Sequence, residues 1–267
     1  MTTTQSDERR DPNLGGRVAL VTGVSRRIGI ARAVADQLRG LGAVVHATGW
    51  SAHDAEMPWG ADSVVADPTA SDTEQRDLGD PSQPALLIDE VIAEHGRLDI
   101  VVAVHARSSS DNLAATTADE LDLSWAVNVR SVVLLAQRFA HHRAQQSTDH
   151  EQRLGRMIWF TSGQHIQPMP NEMPYAITKG ALEAMTPTLA AALSEVGIAA
   201  NCINPGPVDT GWADPTTHAA VETMFPDGRW GTPDDVANLV EFLVSDKGAW
   251  IRGQVLNSEG GFRRISR

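Results

Sequence analysis

Tyr175 is the only tyrosine of this 267-residue chain, and Lys179, whose sole companion lysine is Lys247, follows it by four residues. Residues four apart share one face of a helix. An ammonium beside a phenol stabilises the phenolate and draws tyrosine down from its usual value of about 10. A phenol tuned in this way gives a proton to a carbonyl oxygen or takes one from an alcohol. Ser162 stands just after residues 156–161 (RMIWFT), an apolar run that reads as a strand. A hydroxyl at that strand's C-terminal edge can hold the same substrate oxygen, because ligands of open α/β sheets gather there.

A second chemistry lies near the start. Residues 18–22 (VALVT) read as a buried strand and run into Gly23-Val24-Ser25-Arg26-Arg27-Ile28-Gly29-Ile30-Ala31, after which helical spacing begins. A glycine turn between strand and helix brings backbone amides and a helix N-terminus to a pyrophosphate. Gly23 makes the turn, Gly29 allows close approach, and Ala31 permits tight helix–strand packing. Ser25 and Ile30 complete the loop. The second strand ends Ala47-Thr48-Gly49-Trp50-Ser51, with no acid for ribose hydroxyls and Asp54 several residues late. Arg26 and Arg27 offer guanidinium groups for a 2′-phosphate. NADP(H) is therefore expected in preference to NAD(H).

The elements that must position these groups alternate along the chain. Strands are expected at 18–22, 43–48, 63–66, 98–104, 156–161, 198–203 and 254–257. Helices are expected at 31–41, 84–95, 118–140, 174–196 and 233–245, with loops at 51–61 and 141–153. Strands separated by helices of this length make βαβ units, and apolar strands make a sheet covered on both faces. The fold class is α/β, a doubly wound parallel sheet of about seven strands. Residues 1–16 read as a mobile tail and 17–267 as one domain. Pro187 lies inside a predicted helix, where its missing N–H predicts a bend.

Composition narrows the function. The net charge of −12 argues against nucleic acid, which needs a basic face. No apolar run approaches the roughly 18 residues of a membrane span, and the first residues carry no secretory pattern. A single cysteine, Cys202, fits a reducing, cytoplasmic setting. No metal site is expected. His141, His142 and His150 read as a solvated loop. Met169, Met173, Trp212, Met224 and Phe225 form either a lid over substrate or ordinary packing.

Together these motifs resemble the short-chain dehydrogenase/reductase family, in its single-domain type, over about residues 15–263. The likeness is to bacterial 3-oxoacyl-carrier-protein reductase-like members. It implies a Rossmann fold and an Asn-Ser-Tyr-Lys tetrad, here Asn128, Ser162, Tyr175 and Lys179. Tyr175 becomes the general acid/base. Lys179 tunes it and holds the nicotinamide ribose. Asn128 supports a water-borne proton path. Asn204-Pro205-Gly206-Pro207-Val208-Asp209-Thr210 resembles the segment facing the nicotinamide, through Pro205, Gly206, Val208 and Thr210. Asp67 matches the acid near adenine. The usual Asn-Asn-Ala-Gly is replaced by Ala103-Val104-His105-Ala106, and the glycine loop carries two extra residues after Gly23. The resemblance also implies a homotetramer built through helices near 118–140 and 174–196. The expected reaction is hydride transfer between NADP(H) and a small-molecule carbonyl or alcohol. The alternatives are an NAD-linked alcohol dehydrogenase of the same family and a non-catalytic dinucleotide-binding sensor.

Overall fold

Seven strands pair in parallel into one sheet: β1 (Val18–Thr22), β2 (Val44–Gly49), β3 (Thr73–Gln75), β4 (Ile100–Ala103), β5 (Gly155–Phe160), β6 (Ile198–Asn204) and β7 (Val255–Asn257). Their order is β3-β2-β1-β4-β5-β6-β7. Every residue of β1, β4, β5 and β6 is buried, as strands covered on both faces must be. The computed structural model describes residues 14–62, 73–145 and 154–263.

The helices are α1 (Ile30–Gly40), α2 (Ser51–Glu56), α3 (Gln83–His95), α4 (Ala118–Trp125), α5 (Ser131–Gln145), α6 (Met173–Ser194), α7 (Pro215–Glu222) and α8 (Pro233–Val244). Two apolar layers sandwich the sheet. Val34 and Leu38 of α1 pack with Val236 and Val240 of α8 on one face. Leu87 and Val91 of α3, Leu135 and Phe139 of α5, and Leu182 and Leu193 of α6 fill the other. Fully buried Trp159 of β5 reaches across this second layer, its Nε1–H donating to the Leu182 carbonyl at 3.3 Å. Strand order reverses between β1 and β4, and that is where a crevice opens at the C-terminal edge.

Four local expectations change. The third strand of the sheet is Thr73–Gln75, paired to β2 with Ala47 opposite Thr73. Residues 63–66 and Asp67 lie outside the described residues. A three-residue polar edge strand has no apolar pattern by which to be found. Residues 51–56, read as loop, form α2. The stretch 118–140 is not one regular helix: a π-helical turn, Ala126–Arg130, joins α4 to α5, and α5 continues through His141 and His142 to Gln145. Leu14, assigned to the tail, is buried against the first apolar layer, its N–H bonded to the Leu41 carbonyl at 2.9 Å. The sequence of α6 includes Pro187 without interrupting the helical run.

Candidate active site

The end of β5 and the first turns of α6 bring together Ser162, Tyr175 and Lys179, the residues expected to transfer protons. Thr161 ties strand to helix, its hydroxyl donating to the Lys179 carbonyl at 2.8 Å. The Lys179 ammonium is buried, donates to the Phe160 carbonyl at 2.8 Å, and sits 5.4 Å from the centre of the Tyr175 ring. Ser162 lies near enough to the Tyr175 phenol to draw it down, and both residues line the same crevice. The spacing therefore does what the sequence promised for proximity. It does not do so for acidity: burial, seconded by the Glu172 carboxylate, pushes the Tyr175 phenol up to about 12 against the smaller pull of Ser162. The expected lowering by Lys179 does not figure among the influences on the phenol, which burial and then Glu172 dominate. Burial draws Lys179 down to about 8.

Asn128 sits in the π-helical turn, a distortion often found at functional sites. Its carboxamide oxygen accepts from the Arg107 N–H at 2.6 Å. Its two N–H groups go to the Arg107 carbonyl at 3.0 Å and the Thr178 hydroxyl at 2.9 Å. Both donors are spent, so the side chain clamps the loop after β4 onto α6. A water here would have to meet the remaining oxygen lone pair or the main chain.

His105 occupies the seam between β1 and α5. Its Nδ1 lies 2.6 Å from the Thr22 hydroxyl and its Nε2 lies 2.7 Å from that of Ser131. Ser131 donates onward to the Val127 carbonyl. Its hydroxyl hydrogen is thus used, so it must accept from Nε2–H. Nδ1 is then bare and accepts from Thr22. One neutral tautomer satisfies the whole chain, and burial draws the imidazole down to about 4, keeping it neutral.

The crevice itself has a volume of about 850 Å³ and is walled by the loops after β1, β2, β3, β4, β5 and β6. Gly23, Ser25, Arg26, Gly29, Ile30, Trp50, Tyr175, Pro205, Gly206, Val208 and Thr210 all line it, with Ser162 and His105. Gly23 has φ +85°, and a Cβ there would stand 2.6 Å from the His105 nitrogen, so no side chain fits. Gly29 precedes α1 with no side-chain cap, leaving the first turn's N–H groups open to an anion. Arg26 lies 5.9 Å from the Trp59 ring, and its buried Nε has no hydrogen-bond partner. Asp54, the late acid of the β2 segment, accepts from the Trp59 indole N–H at 2.9 Å. An orphaned guanidinium nitrogen, open helix amides and a side-chain-free turn fit a phosphorylated dinucleotide.

Several expected residues stand elsewhere. Arg27 turns outward to Asp62, its backbone N–H 2.5 Å and its Nε 3.7 Å from that carboxylate. Ala103 is buried at the end of β4, and Val104 and His105 face the crevice instead. Lys179 and Asn128 lie behind the wall rather than on it. Asp77 and Leu78, which follow β3, line the crevice and were missed by sequence reading. The signal was an acid–apolar pair after a strand, hidden because that strand went unrecognised. Met169 and Trp212 line the crevice, whereas Phe225 packs against Trp230 and Phe262. His141 contacts Gln145, and His150 lies outside the described residues.

The family model described as enoyl-(acyl carrier protein) reductase matches residues 23–263. The chain is 35% identical to the uncharacterized oxidoreductase YjdA of Bacillus subtilis, over 93% of this chain and 97% of that protein. It is 34% identical to a chloroplastic NADPH-dependent aldehyde reductase-like protein of Arabidopsis thaliana, over 93% and 95% of the two chains. A short-chain dehydrogenase from Burkholderia cenocepacia, solved with NADP, superposes with a TM-score of 0.77 at 33% identity, covering 93% of this chain and 98% of that one. The doubly wound sheet, the crevice at its order reversal and these matches agree, and the chain belongs to the short-chain dehydrogenase/reductase family of NAD(P)-dependent oxidoreductases.

Proposed function

We propose that the protein is an NADP(H)-dependent carbonyl reductase in which Tyr175 is the proton donor. The observation that carries this reading is Tyr175 on the crevice wall together with Ser162, the Lys179 ammonium 5.4 Å from its ring centre. The dinucleotide, when bound, supplies the hydride. Ser162 orients the substrate oxygen, and Tyr175 gives that oxygen its proton. A phenol held near 12 keeps its proton at neutral pH, the form that donates to a carbonyl oxygen. Lys179, near 8, gives up a proton more easily than the phenol does. Its ammonium, beside the ring, is the nearby proton source for the phenolate left after donation. Asn128 keeps the loop after β4 fixed against α6 during this exchange.

Arg26 is the residue for the 2′-phosphate. Its unpartnered Nε and the commitment of Asp54 to Trp59 support NADP(H) over NAD(H). The NADP found in the Burkholderia cenocepacia structure supports the same choice. Asp77, rather than Asp67, is the acid for the adenosine end. Exposed Trp125, Val133 and Ile177 on the helical surface of 118–194 support assembly as a homotetramer. We place the enzyme in the cytoplasm; no helix among the described residues is long and apolar enough to cross a membrane.

The test is Tyr175→Phe. NADPH consumption with a panel of aldehydes and ketones is expected to fall about 10²- to 10⁴-fold, the usual worth of a positioned acid, while NADPH still binds. Turnover within a few-fold of wild type refutes the assignment.

A further inference from the structure

The crevice has two differently charged ends. The segments after β1 to β4 contribute Arg26, Asp54, Glu56, Arg76, Asp77 and Arg107 to its wall. The segments after β5 and β6, which hold the proton donor, contribute one charged residue, Glu172. The same segments also place Gln167, Met169, Asn171, Trp212 and Val221 on the wall.

Glu172 stands at the N-cap position of α6, three residues before Tyr175, yet its side chain makes no capping bond to that helix. Among the described residues its carboxylate has no hydrogen bond or ion pair, although its backbone bonds Met169 and Ala176. The residue is half-buried. Burial holds its carboxyl above the usual range, and its charge in turn raises Tyr175. A half-buried carboxylate without a protein partner, on an otherwise uncharged wall, is placed to gain a charge-assisted bond from a cationic ligand group.

We propose that Glu172 is a specificity residue that recognises an ammonium group on the substrate, so that the enzyme prefers amine-bearing carbonyl compounds and amino alcohols. This rests on the carbonyl–alcohol reading above. Glu172 pairs with the substrate's amine while Ser162 and Tyr175 hold its oxygen. The pairing relieves the desolvated carboxylate and removes its repulsion of a developing phenolate.

The experiment compares 4-(aminomethyl)acetophenone with its neutral isostere 4-ethylacetophenone, in wild type and Glu172→Gln. The amine is expected to have at least about tenfold higher kcat/KM in wild type, as a charge-assisted contact gives. That ratio is expected to approach one in Glu172→Gln, whose melting temperature confirms folding. Equal use of the two ketones by wild type, or a ratio that survives Glu172→Gln, overturns the proposal while leaving the reductase reading intact. The matching alcohols, titrated calorimetrically into the NADP-loaded protein, separate the two ideas. Amine-selective, Glu172-dependent binding without turnover of any ketone keeps the subsite and removes the reductase reading. Absence of amine selectivity in binding and turnover alike removes the subsite.

Discussion

The two sides of the crevice are built by different means. On the β5–α6 side, one strand end and one helix carry Ser162, Tyr175 and Lys179 within 18 residues of chain. On the β1–β3 side, Gly23, Arg26, Trp59 and Asp77 come from loops after three strands and meet only when the sheet forms. The first side is fixed by helix periodicity. The second depends on strand order and on where each loop turns. Local construction keeps a recognisable spacing, whereas the assembled side tolerates a longer glycine loop and an absent asparagine pair.

His105 spans the two sides, from Thr22 at the end of β1 to Ser131 beside the π-helical turn. Breaking this link is the largest expected effect on stability. His105→Ala leaves the Thr22 hydroxyl without its partner and opens a cavity, at a cost of about 2–4 kcal/mol. His105→Asn, which restores a polar side chain of the family's type, is expected to recover part of this in chemical denaturation. The sign of the pH dependence follows from the neutral imidazole. Its folded value of about 4 lies below the unfolded 6.5. The stability it contributes is complete above about 6.5 and is lost as pH falls toward 4, by about 3 kcal/mol. Denaturation midpoints measured between pH 7 and 4 should drop less in His105→Asn than in wild type. Parallel slopes would show that the histidine does not titrate with unfolding.

The assembled side is probed next by Arg26→Ala. The Kd for NADPH is expected to rise about 10- to 100-fold, with NADH changed far less, because only one of them carries the 2′-phosphate. Equal weakening of both in a fluorescence titration would place Arg26 outside that contact. Arg27→Ala, which removes a side chain turned to Asp62, provides the contrast.

The smallest effect sharpens the correction at β3. Asp77→Asn is expected to weaken NADPH binding by a few-fold, the worth of one ordinary hydrogen bond of about 1 kcal/mol. Asp67→Asn should leave it unchanged. A reversal of that order would return the adenosine acid to its first position.

Residue by residue, the catalytic side was legible because its chemistry follows from types and spacing. Tyr175 and Lys179 need only a helix to meet, and Ser162 needs only the strand before it. Arg27 looked equivalent to Arg26, and nothing in their adjacency told which would turn to Asp62. Asp77 was hidden behind Thr73–Gln75, whose polar residues give no strand signal. The phenol's pKa was misjudged for a related reason. Sequence supplies neighbouring charges but not the depth of burial, and burial is the largest influence on the phenol here.

By itself the sequence determined the alternation of strands and helices, the doubly wound class, the glycine turn and the closeness of Tyr175 and Lys179, since each follows from short-range periodicity and residue chemistry. Only the tertiary structure decided which arginine enters the crevice, that His105 takes over a bridging role, and that Glu172 stands unpaired beside Tyr175. Those outcomes depend on which distant segments pack together and on how much water they exclude, and neither is written in the local order of residues.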